Sequence, residues 1–220
     1  MPSLFTDRRG GVSLAPYDSL NFAFHVGDNR EHVIDNRASL SLPVSAIQFM
    51  NQSHGDEIAI VDTFSEIDPS CDALITTTPG FAVAVLVADC IPLLLSSSNV
   101  VAAVHVGRKG LVNRITLKVI AHMRALGATS IHGQLGASIC GECYEVPADM
   151  AEEVTRIHPR AFSKTRVATP ALDLPRALIA DLTSAGISYE ATAVCTFEDH
   201  NYFSYRRNPT TGRFAGIVWL

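Results

Sequence analysis

The chain lacks the features that would place it with nucleic-acid-binding or membrane proteins. No run of lysine or arginine is longer than two residues and the formal net charge is −5, so the clustered basic face that duplex DNA requires is missing. The longest apolar stretch, residues 81–95, is interrupted by Asp89 and Pro92 and is too short to cross a bilayer. We therefore expect neither nucleic acid nor a membrane as a partner.

The chain also has little that points to export or to disulfide bonds. Residues 1–10 contain Asp7, Arg8 and Arg9 and no apolar segment, which predicts a cytoplasmic protein whose thiols stay reduced. The cysteine count is odd, so a disulfide framework is not expected. The five cysteines are Cys71, Cys90, Cys140, Cys143 and Cys195.

Internal repeats, low-complexity segments and long flexible linkers are absent too. With 220 residues and 47% hydrophobic content, the sequence predicts one domain over residues 1–220 with a sizeable core. Predicted strands are 47–52, 58–61, 82–88, 91–95, 100–105, 131–139, 191–197 and 214–220. Predicted helices are 111–126, 148–158 and 174–185. Some strands are too close in sequence for a crossover helix, so we expect mixed sheets flanked by helices.

Three soft metal ligands each follow an apolar run: His54, Cys90 and His105. Two imidazoles and one thiolate suit zinc, with copper as the second choice, and three protein ligands leave one coordination position free. They form a site only if the fold brings three strand ends together. Singly, each is more often a core residue. Asp89, a charge beside Cys90, needs a partner, such as the second N–H of a ligating histidine.

Two further segments carry polar chemistry. Cys140 and Cys143 form a single CxxC, which without a second pair is weak evidence for zinc and favours a structural or incidental role over redox chemistry. Residues 203–213 contain three arginines and two aromatic residues, a composition suited to phosphate and a nucleobase but also to a solvated hairpin.

Taken in order, the motifs match a known pattern. They are NQSHGDEIAIVD, CDALITTTPGFAVAVLVADCIPLLL, VAAVHVGRKGL, GASICGECYEV and CTFEDHNYFSYRRNPTTGRFAGIVWL. Together with TDRRGGVSLAPYDSLNFAFHVGDN and Asn36-Arg37, they resemble the YfiH-like family, formerly called multicopper polyphenol oxidoreductase or laccase-domain proteins. The resemblance implies an α/β (α+β) fold, a layered α/β/β/α sandwich with mixed sheets, similar to that of a toxin family of cysteine hydrolases.

The resemblance also implies an activity. Family members act on purine nucleosides, mainly by phosphorolysis of adenosine and inosine to free base and ribose 1-phosphate, with phosphorolysis of methylthioadenosine and deamination of adenosine also attributed to them. The implied catalytic Zn²⁺ is held by His54, Cys90 and His105, and Asp89 is our candidate proton shuttle. The partners are then a purine nucleoside and phosphate. The expected substrate-binding residues are Asn36, Arg37, Gln52, Tyr144, Ser204, Arg206 and Arg207.

The chain departs from the family at two places near the expected pocket. Residues 107–110 read Gly-Arg-Lys-Gly where Gly-Trp-Arg-Gly is common, and residues 140–145 read Cys-Gly-Glu-Cys-Tyr-Glu where Gly-Pro-Cys-Cys-Tyr-Glu is usual. Both departures bear on substrate preference.

Alternative functions stay open at this point. In a thiol hydrolase, Cys90 would be the nucleophile and His105 its base, a chemistry that suits the editing of cell-wall precursors also linked to the family. A copper polyphenol oxidase is a weaker alternative, because the chain has eight histidines and no HxH cluster. A third possibility is a non-enzymatic metal- or nucleotide-binding protein. The sequence carries no signal for the oligomeric state.

Overall fold

Two mixed β-sheets pack face to face between helical layers in the computed structural model, which describes residues 1–220. The strands are β1 Ser3–Phe5, β2 Ala46–Gln48, β3 Ile58–Ile60, β4 Ala73–Thr76, β5 Phe81–Val87, β6 Ile91–Ser96, β7 Val101–Val106, β8 His132–Leu135, β9 Phe162–Lys164, β10 Pro170–Leu172, β11 Ser188–Ala191 and β12 Phe214–Trp219. The α-helices are α1 Arg30–Ala38, α2 Arg108–Val112, α3 Ile115–Ala125, α4 Ala148–Ile157 and α5 Leu174–Ser184. Short 3-10 turns occupy Phe24–Val26 and Pro159–Ala161.

The strand orders define the two layers. The smaller sheet runs β1-β12-β5-β2 and the larger one β11-β8-β6-β7-β4-β3, while β9 and β10 form a separate pair. Each large sheet contains both parallel and antiparallel pairs: β2 is parallel to β5, which is antiparallel to β12. In the larger sheet β3 is parallel to β4, and β6 is antiparallel to β7. These mixed sheets confirm the predicted fold class.

The side-chain alternation of β5 shows why its sequence is continuously apolar. Val83, Val85 and Val87 point between the two sheets, whereas the alternate residues, such as Ala84 and Leu86, belong to the core on the outer face. A strand buried on both faces has no place for polar side chains. The larger sheet likewise packs its second face against α3 and α5, so the order of layers is helix, sheet, sheet and an outer N-terminal segment that includes α1.

The connection between β5 and β6 is decisive for the site. The two strands are separated by residues 88–90 only, yet they belong to different sheets. The chain therefore crosses from one layer to the other through Ala88, Asp89 and Cys90. The short link forms no hairpin within one sheet, and it places Asp89 and Cys90 where the two sheets meet.

Several predicted elements need correction. The helix predicted over 111–126 is two helices, because Arg114 between them takes a φ of 60°. The strand predicted over 191–197 pairs only up to Ala191, and beyond that Cys195 makes one isolated bridge to Ser138. α1 was missed because it buries only Val33 and Asn36 and so has almost no apolar periodicity.

Asp173 and Gly186 define the two ends of α5. Asp173 caps α5 by accepting a hydrogen bond from the Arg176 amide at 2.9 Å, and Gly186 has a φ of 71° just after the helix. The short strands β1, β4, β9 and β10 were not predicted, since three or four residues carry too little pattern. No helix in the structure has the length and apolar character needed to span a bilayer. The likeness to toxin-type hydrolases stays a prediction.

Candidate active site

The three predicted metal ligands converge. One ligand atom from each of His54, Cys90 and His105 lies within 4.8 Å of the other two, and the two imidazole rings meet edge to face with centroids 4.7 Å apart. The pairing of Ile91 with Val106 in β6 and β7 brings the residues that flank this pair, Cys90 and His105, to one edge of the larger sheet. His105 lies at the end of β7 and Cys90 directly before β6, whereas His54 lies in the loop between β2 and β3, so the three side chains meet but not all three come from strand ends.

The loops that present these ligands have unusual backbone conformations. His54 has a φ of 61° and Asp89 a φ of 95°, two of only four non-glycine residues with positive φ in the chain. Such conformations cost free energy and persist where the surrounding structure imposes them, commonly at functional sites. His54 belongs to this cluster and Asp89 directly precedes Cys90, so two of the four unfavourable backbone conformations lie at the cluster.

Asp72 organises the cluster from behind. Its fully buried carboxylate accepts hydrogen bonds from Nδ1 of His105 at 2.8 Å, from the amides of Ser53, His54 and Gly55 at 3.3, 3.0 and 2.7 Å, and from the Ser53 hydroxyl at 2.9 Å. One carboxylate therefore fixes both the His54 loop and the ring of His105. With Nδ1 engaged, Nε2 of His105 is the nitrogen left for the cluster.

Asp89 was expected to be this partner, and that expectation is wrong. Its carboxylate accepts instead from the Thr196 hydroxyl at 2.7 Å and from the Arg206 amide at 2.7 Å. The physical reason is the position of Asp89 in the link between sheets, where it faces the C-terminal segment and β7 lies on the other side of Cys90. Asp72 carried a comparable signal, a lone carboxylate before the apolar run Ala73-Leu74-Ile75, and sequence reasoning passed over it.

The electrostatics of the cluster favour ionised side chains. Burial opposes ionisation of Asp72, but hydrogen bonds from His105, Gly55 and Ser53 outweigh it and lower the pKa of Asp72 to about 2. Burial likewise opposes charge on Cys90 and His105, yet their mutual attraction, with help from Asp72 and His54, lowers the pKa of Cys90 to about 6 and raises that of His105 to about 9. Without a metal, the pair is a thiolate beside an imidazolium.

Gly107 lies directly against the cluster. A Cβ added to Gly107 would lie 3.2 Å from Sγ of Cys90, 3.5 Å from Cδ2 of His54 and 3.8 Å from Cε1 of His105. The absence of a side chain lets β7 turn into α2 directly against all three ligands.

The ligands line a cavity of about 580 Å³, a volume typical of small-molecule sites. Of the predicted site residues, Gln52, Asp89, Tyr144 and Arg206 also line it. The amide of Gln52 both donates to and accepts from the backbone of Leu86, at 2.7 and 2.8 Å, which holds the His54 loop against β5. The guanidinium of Arg206 lies 5.3 Å from the ring centroid of Tyr144.

Four other predicted substrate residues are not brought to this cavity. Asn36 is 1% exposed and bonds to Ser13 and to nearby backbone atoms. Arg37 pairs with Asp68 and lines a smaller neighbouring cavity of about 220 Å³. Ser204 is 1% exposed and accepts from the Arg207 amide. Arg207 donates to the carbonyl oxygens of Thr196, Phe197 and Tyr202, so these four hold segments of chain.

The cavity is also lined by residues outside the expected substrate-binding set, although residues 107–110 were expected near the pocket and residues 203–213 were considered for phosphate and a nucleobase. These additional residues are His25, Arg108, Lys109, Tyr205 and Arg213. Arg108 and Lys109 come shortly after His105 in the sequence. Their position just beyond a predicted metal ligand was the signal that could have identified them. His25 had none, because it comes from the N-terminal segment. Burial and nearby Arg213 lower the pKa of His25, which favours the neutral form of its ring.

A comparison with known proteins decides the family. The family model described as multi-copper polyphenol oxidoreductase laccase matches residues 2–220. The chain belongs to this family. A relative from Streptomyces coelicolor, named purine nucleoside phosphorylase, is 44% identical, with 98% of this chain and 94% of the relative covered.

Solved structures agree with this assignment to the laccase family. The crystal structure of a hypothetical protein YfiH from Bacillus licheniformis matches with a TM-score of 0.89 at 27% identity, covering 99% of this chain and 92% of that one. A Neisseria meningitidis protein of family DUF152 matches with a TM-score of 0.85 at 31% identity, covering 99% and 93%. The resemblance to the YfiH-like family is confirmed.

Proposed function

We propose that this laccase-family chain is a zinc-dependent purine nucleoside phosphorylase. The observation that carries the proposal is a single cavity that joins the His54–Cys90–His105 cluster to four cationic side chains. Those cations are Arg108, Lys109, Arg206 and Arg213. A purine nucleoside and phosphate need such a combination of aromatic surface, polar groups and positive charge. The name of the 44% identical relative supports the same activity.

The residues present fit a metal. Asp72 sets the orientation of His105 with Nε2 turned to the cluster, Cys90 favours its thiolate form, and Gly107 leaves room beside all three ligands. When bound, zinc supplies Lewis-acid polarisation and activates water at neutral pH. A multicopper oxidase would need several histidine clusters, and the two groups of clustered ligands in this chain contain two histidines between them.

The four cationic side chains that line the cavity are suited to binding phosphate. Guanidinium groups bind phosphate oxygens in pairs, and an ammonium group adds a point charge. Arg206 stacks on Tyr144 and its backbone amide is fixed by Asp89, so its position is defined before a ligand arrives. We infer that Arg206 and Arg108 hold the phosphate nucleophile. Because these charges are already in place, they orient the phosphate towards the sugar of the nucleoside.

Aromatic and neutral polar groups complete the site for the nucleoside. Burial raises the pKa of Tyr144, which keeps its phenol neutral as a hydrogen-bond donor. The rings of Tyr144 and Tyr205 offer faces on which a purine can stack. For adenosine deamination we propose Asp89 as the acid, since it lines the cavity next to Cys90.

The proposal is tested by product analysis with and without phosphate. Adenosine and inosine should give free base and ribose 1-phosphate, and methylthioadenosine should give free base and 5-methylthioribose 1-phosphate, only when phosphate is present. Inosine formed from adenosine reports deamination separately. Release of base without dependence on phosphate, or no turnover of any of the three, would overturn the assignment.

Arg206→Ala should weaken phosphate use. Loss of a charge-assisted hydrogen bond, about 1.5–3 kcal/mol, corresponds to an increase of roughly 10- to 100-fold in the KM for phosphate. Initial rates of ribose 1-phosphate formation over a phosphate series measure this. Arg156→Ala is the matched control, because Arg156 is exposed in the last turn of α4 and should leave the KM unchanged. Equal values in the two variants would exclude Arg206 from phosphate binding.

One observation favours a second candidate function, a thiol hydrolase. Cys90, His105 and Asp72 have the order of contacts found in nucleophile, base and orienting carboxylate triads. The nucleophile would then be the Cys90 thiolate, and editing of cell-wall precursors is the activity that fits this chemistry. The two candidates use the same side chains but differ in whether a metal covers the sulfur.

Alkylation of Cys90 by iodoacetamide distinguishes them. In the metal-free protein the rate should be half-maximal near pH 6, because the pKa of Cys90 is lowered from 9.0 to about 6 and the thiolate exists above that pH. The phosphorylase hypothesis predicts that Cys90 of the purified protein is protected until a chelator is added. Cys71, whose pKa burial raises to about 12, is the internal control in peptide mapping. Immediate alkylation without chelator would favour the hydrolase.

A further inference from the structure

A second group of metal-ligating side chains lies outside the proposed active site. Cys140, Cys143, Cys195 and Glu198 each place one ligand atom within 4.8 Å of the other three. Around a tetrahedral zinc with bonds of about 2.3 Å, ligand sulfurs lie roughly 3.8 Å apart. Small side-chain rotations would bring the ligand atoms from their present separation to the distance that zinc requires. The fold thus supplies the second pair of ligands that the isolated CxxC lacked in the sequence.

Two tight turns present these side chains to each other. In the first, the amides of Cys143 and Tyr144 donate to the Cys140 carbonyl at 3.1 and 3.0 Å; in the second, the amides of Glu198 and Asp199 donate to the Cys195 carbonyl at 3.2 and 2.9 Å. Both turns therefore have ligands at positions i and i+3. C-x-x-C and C-x-x-E turns facing each other have the spacing of a zinc site closed by four protein ligands.

Further contacts fix the two turns relative to each other. The amide of Cys140 donates to Sγ of Cys195 at 3.4 Å, and a parallel bridge joins Ser138 to Cys195. On the outside, Arg166 donates to the carboxylates of Glu142 and Glu198. A carboxylate held by an outer cation is oriented as ligating carboxylates are in metal sites.

We propose that Cys140, Cys143, Cys195 and Glu198 form a second, structural metal site that binds Zn²⁺. Binding replaces three S–H bonds by three metal–thiolate bonds and releases the three protons to solvent, without any change of oxidation state. Three thiolates and one carboxylate fill a tetrahedral shell, so this site has no open position. It differs in that respect from the His54–Cys90–His105 cluster, which has three protein ligands.

Hydrogen bonds connect the second site to residues that line the first. The residues next to its cysteines both bond to Asp89: the amide of Ile139 donates to the Asp89 carbonyl at 3.0 Å, and the hydroxyl of Thr196 donates to its carboxylate at 2.7 Å. Tyr144, which lines the cavity, follows Cys143 directly. A metal that joins the two turns thereby holds Asp89 and Tyr144 in place.

The experiment counts metal in the full-length protein. Metal-free, reduced protein is titrated with Zn²⁺, desalted and analysed for bound zinc; the wild type should hold two ions per chain and Cys143→Ser one. His54→Ala should also hold one ion, so that failure of the active-site proposal and failure of this one give different results. Cys71→Ala, which removes a cysteine outside both groups, is the control and should hold two.

Cobalt provides a readout that needs no cysteine variant. In His54→Ala loaded with Co²⁺, the sulfur-to-metal absorption should correspond to three thiolates, about three times the intensity expected for the single thiolate of the other site. Glu198→Gln should keep the thiolate absorption but bind Zn²⁺ at least about tenfold more weakly. One zinc per wild-type chain that Cys143→Ser retains and His54→Ala loses, no cobalt spectrum in His54→Ala, or a disulfide among these cysteines in protein purified under reducing conditions would overturn the proposal.

Discussion

His105→Ala should abolish metal binding at the His54–Cys90–His105 site and reduce nucleoside phosphorolysis by on the order of 10³-fold or more. The imidazole is the link between Asp72 and the cluster, and its loss removes one of three protein ligands. Metal catalysis contributes several kcal/mol, and each 1.36 kcal/mol corresponds to tenfold in rate. Elemental analysis and ribose 1-phosphate formation measure the two effects.

Two other variants make the His105 result interpretable. His105 is 3% exposed, so its removal leaves Asp72 with a buried, weakened network and lowers stability. His54→Ala changes an exposed ligand and should give the same loss of metal and activity with little effect on folding. His122→Ala is the matched control, because His122 bonds only to its own helix at Lys118. Full phosphorolysis by His54→Ala would contradict the assignment.

Asp72→Asn should weaken the metal site without removing a ligand. An asparagine amide cannot accept from both His105 and the His54 loop as the carboxylate does, so the ring of His105 loses its fixed tautomer. We expect metal affinity to fall by about 10- to 100-fold, measured by competition with a chelator. Asp56→Asn is the control, since the Asp56 carboxylate pairs with Lys118 on the protein surface.

The same variant carries a pH-dependent stability prediction. The pKa of Asp72 falls from 3.8 to about 2 on folding, which corresponds to about 2 kcal/mol of stability. Because the folded pKa is the lower one, this contribution is complete above about pH 4 and is lost as the pH falls towards 2. Denaturant unfolding at pH 7 and at pH 3 should show a smaller difference between wild type and Asp72→Asn at pH 3. A difference independent of pH would argue against an ionised Asp72.

The three side chains of the candidate metal site could be selected from the sequence because each occupies a recognisable place in it. His54, Cys90 and His105 all follow apolar runs, and runs of that kind end where a sheet ends. Their convergence depended on a fact that local pattern does not contain, namely that β5 and β6 lie in different sheets although residues 88–90 alone connect them.

The other residues that line the cavity were predicted less well, for a physical reason. Neighbouring arginines in the C-terminal segment look alike in sequence, but Arg206 lines the cavity and Arg207 donates to three backbone carbonyls. Neighbouring residues on a turn point in different directions, and composition does not report which. Asp72 was missed because its role depends on contacts with residues 53–55 and 105, which lie far from it in the chain.

The central claim is that the His54–Cys90–His105 site holds a metal required for phosphorolysis. The most direct measurement removes metal from the purified protein, returns Zn²⁺ or Cu²⁺ in steps, and records bound metal per chain together with phosphate-dependent formation of ribose 1-phosphate from inosine. We predict that activity disappears with the metal, returns with zinc in wild-type protein and does not return in His54→Ala. Undiminished phosphorolysis by metal-free protein, or recovery with copper alone and oxidation of a polyphenol, would contradict the account.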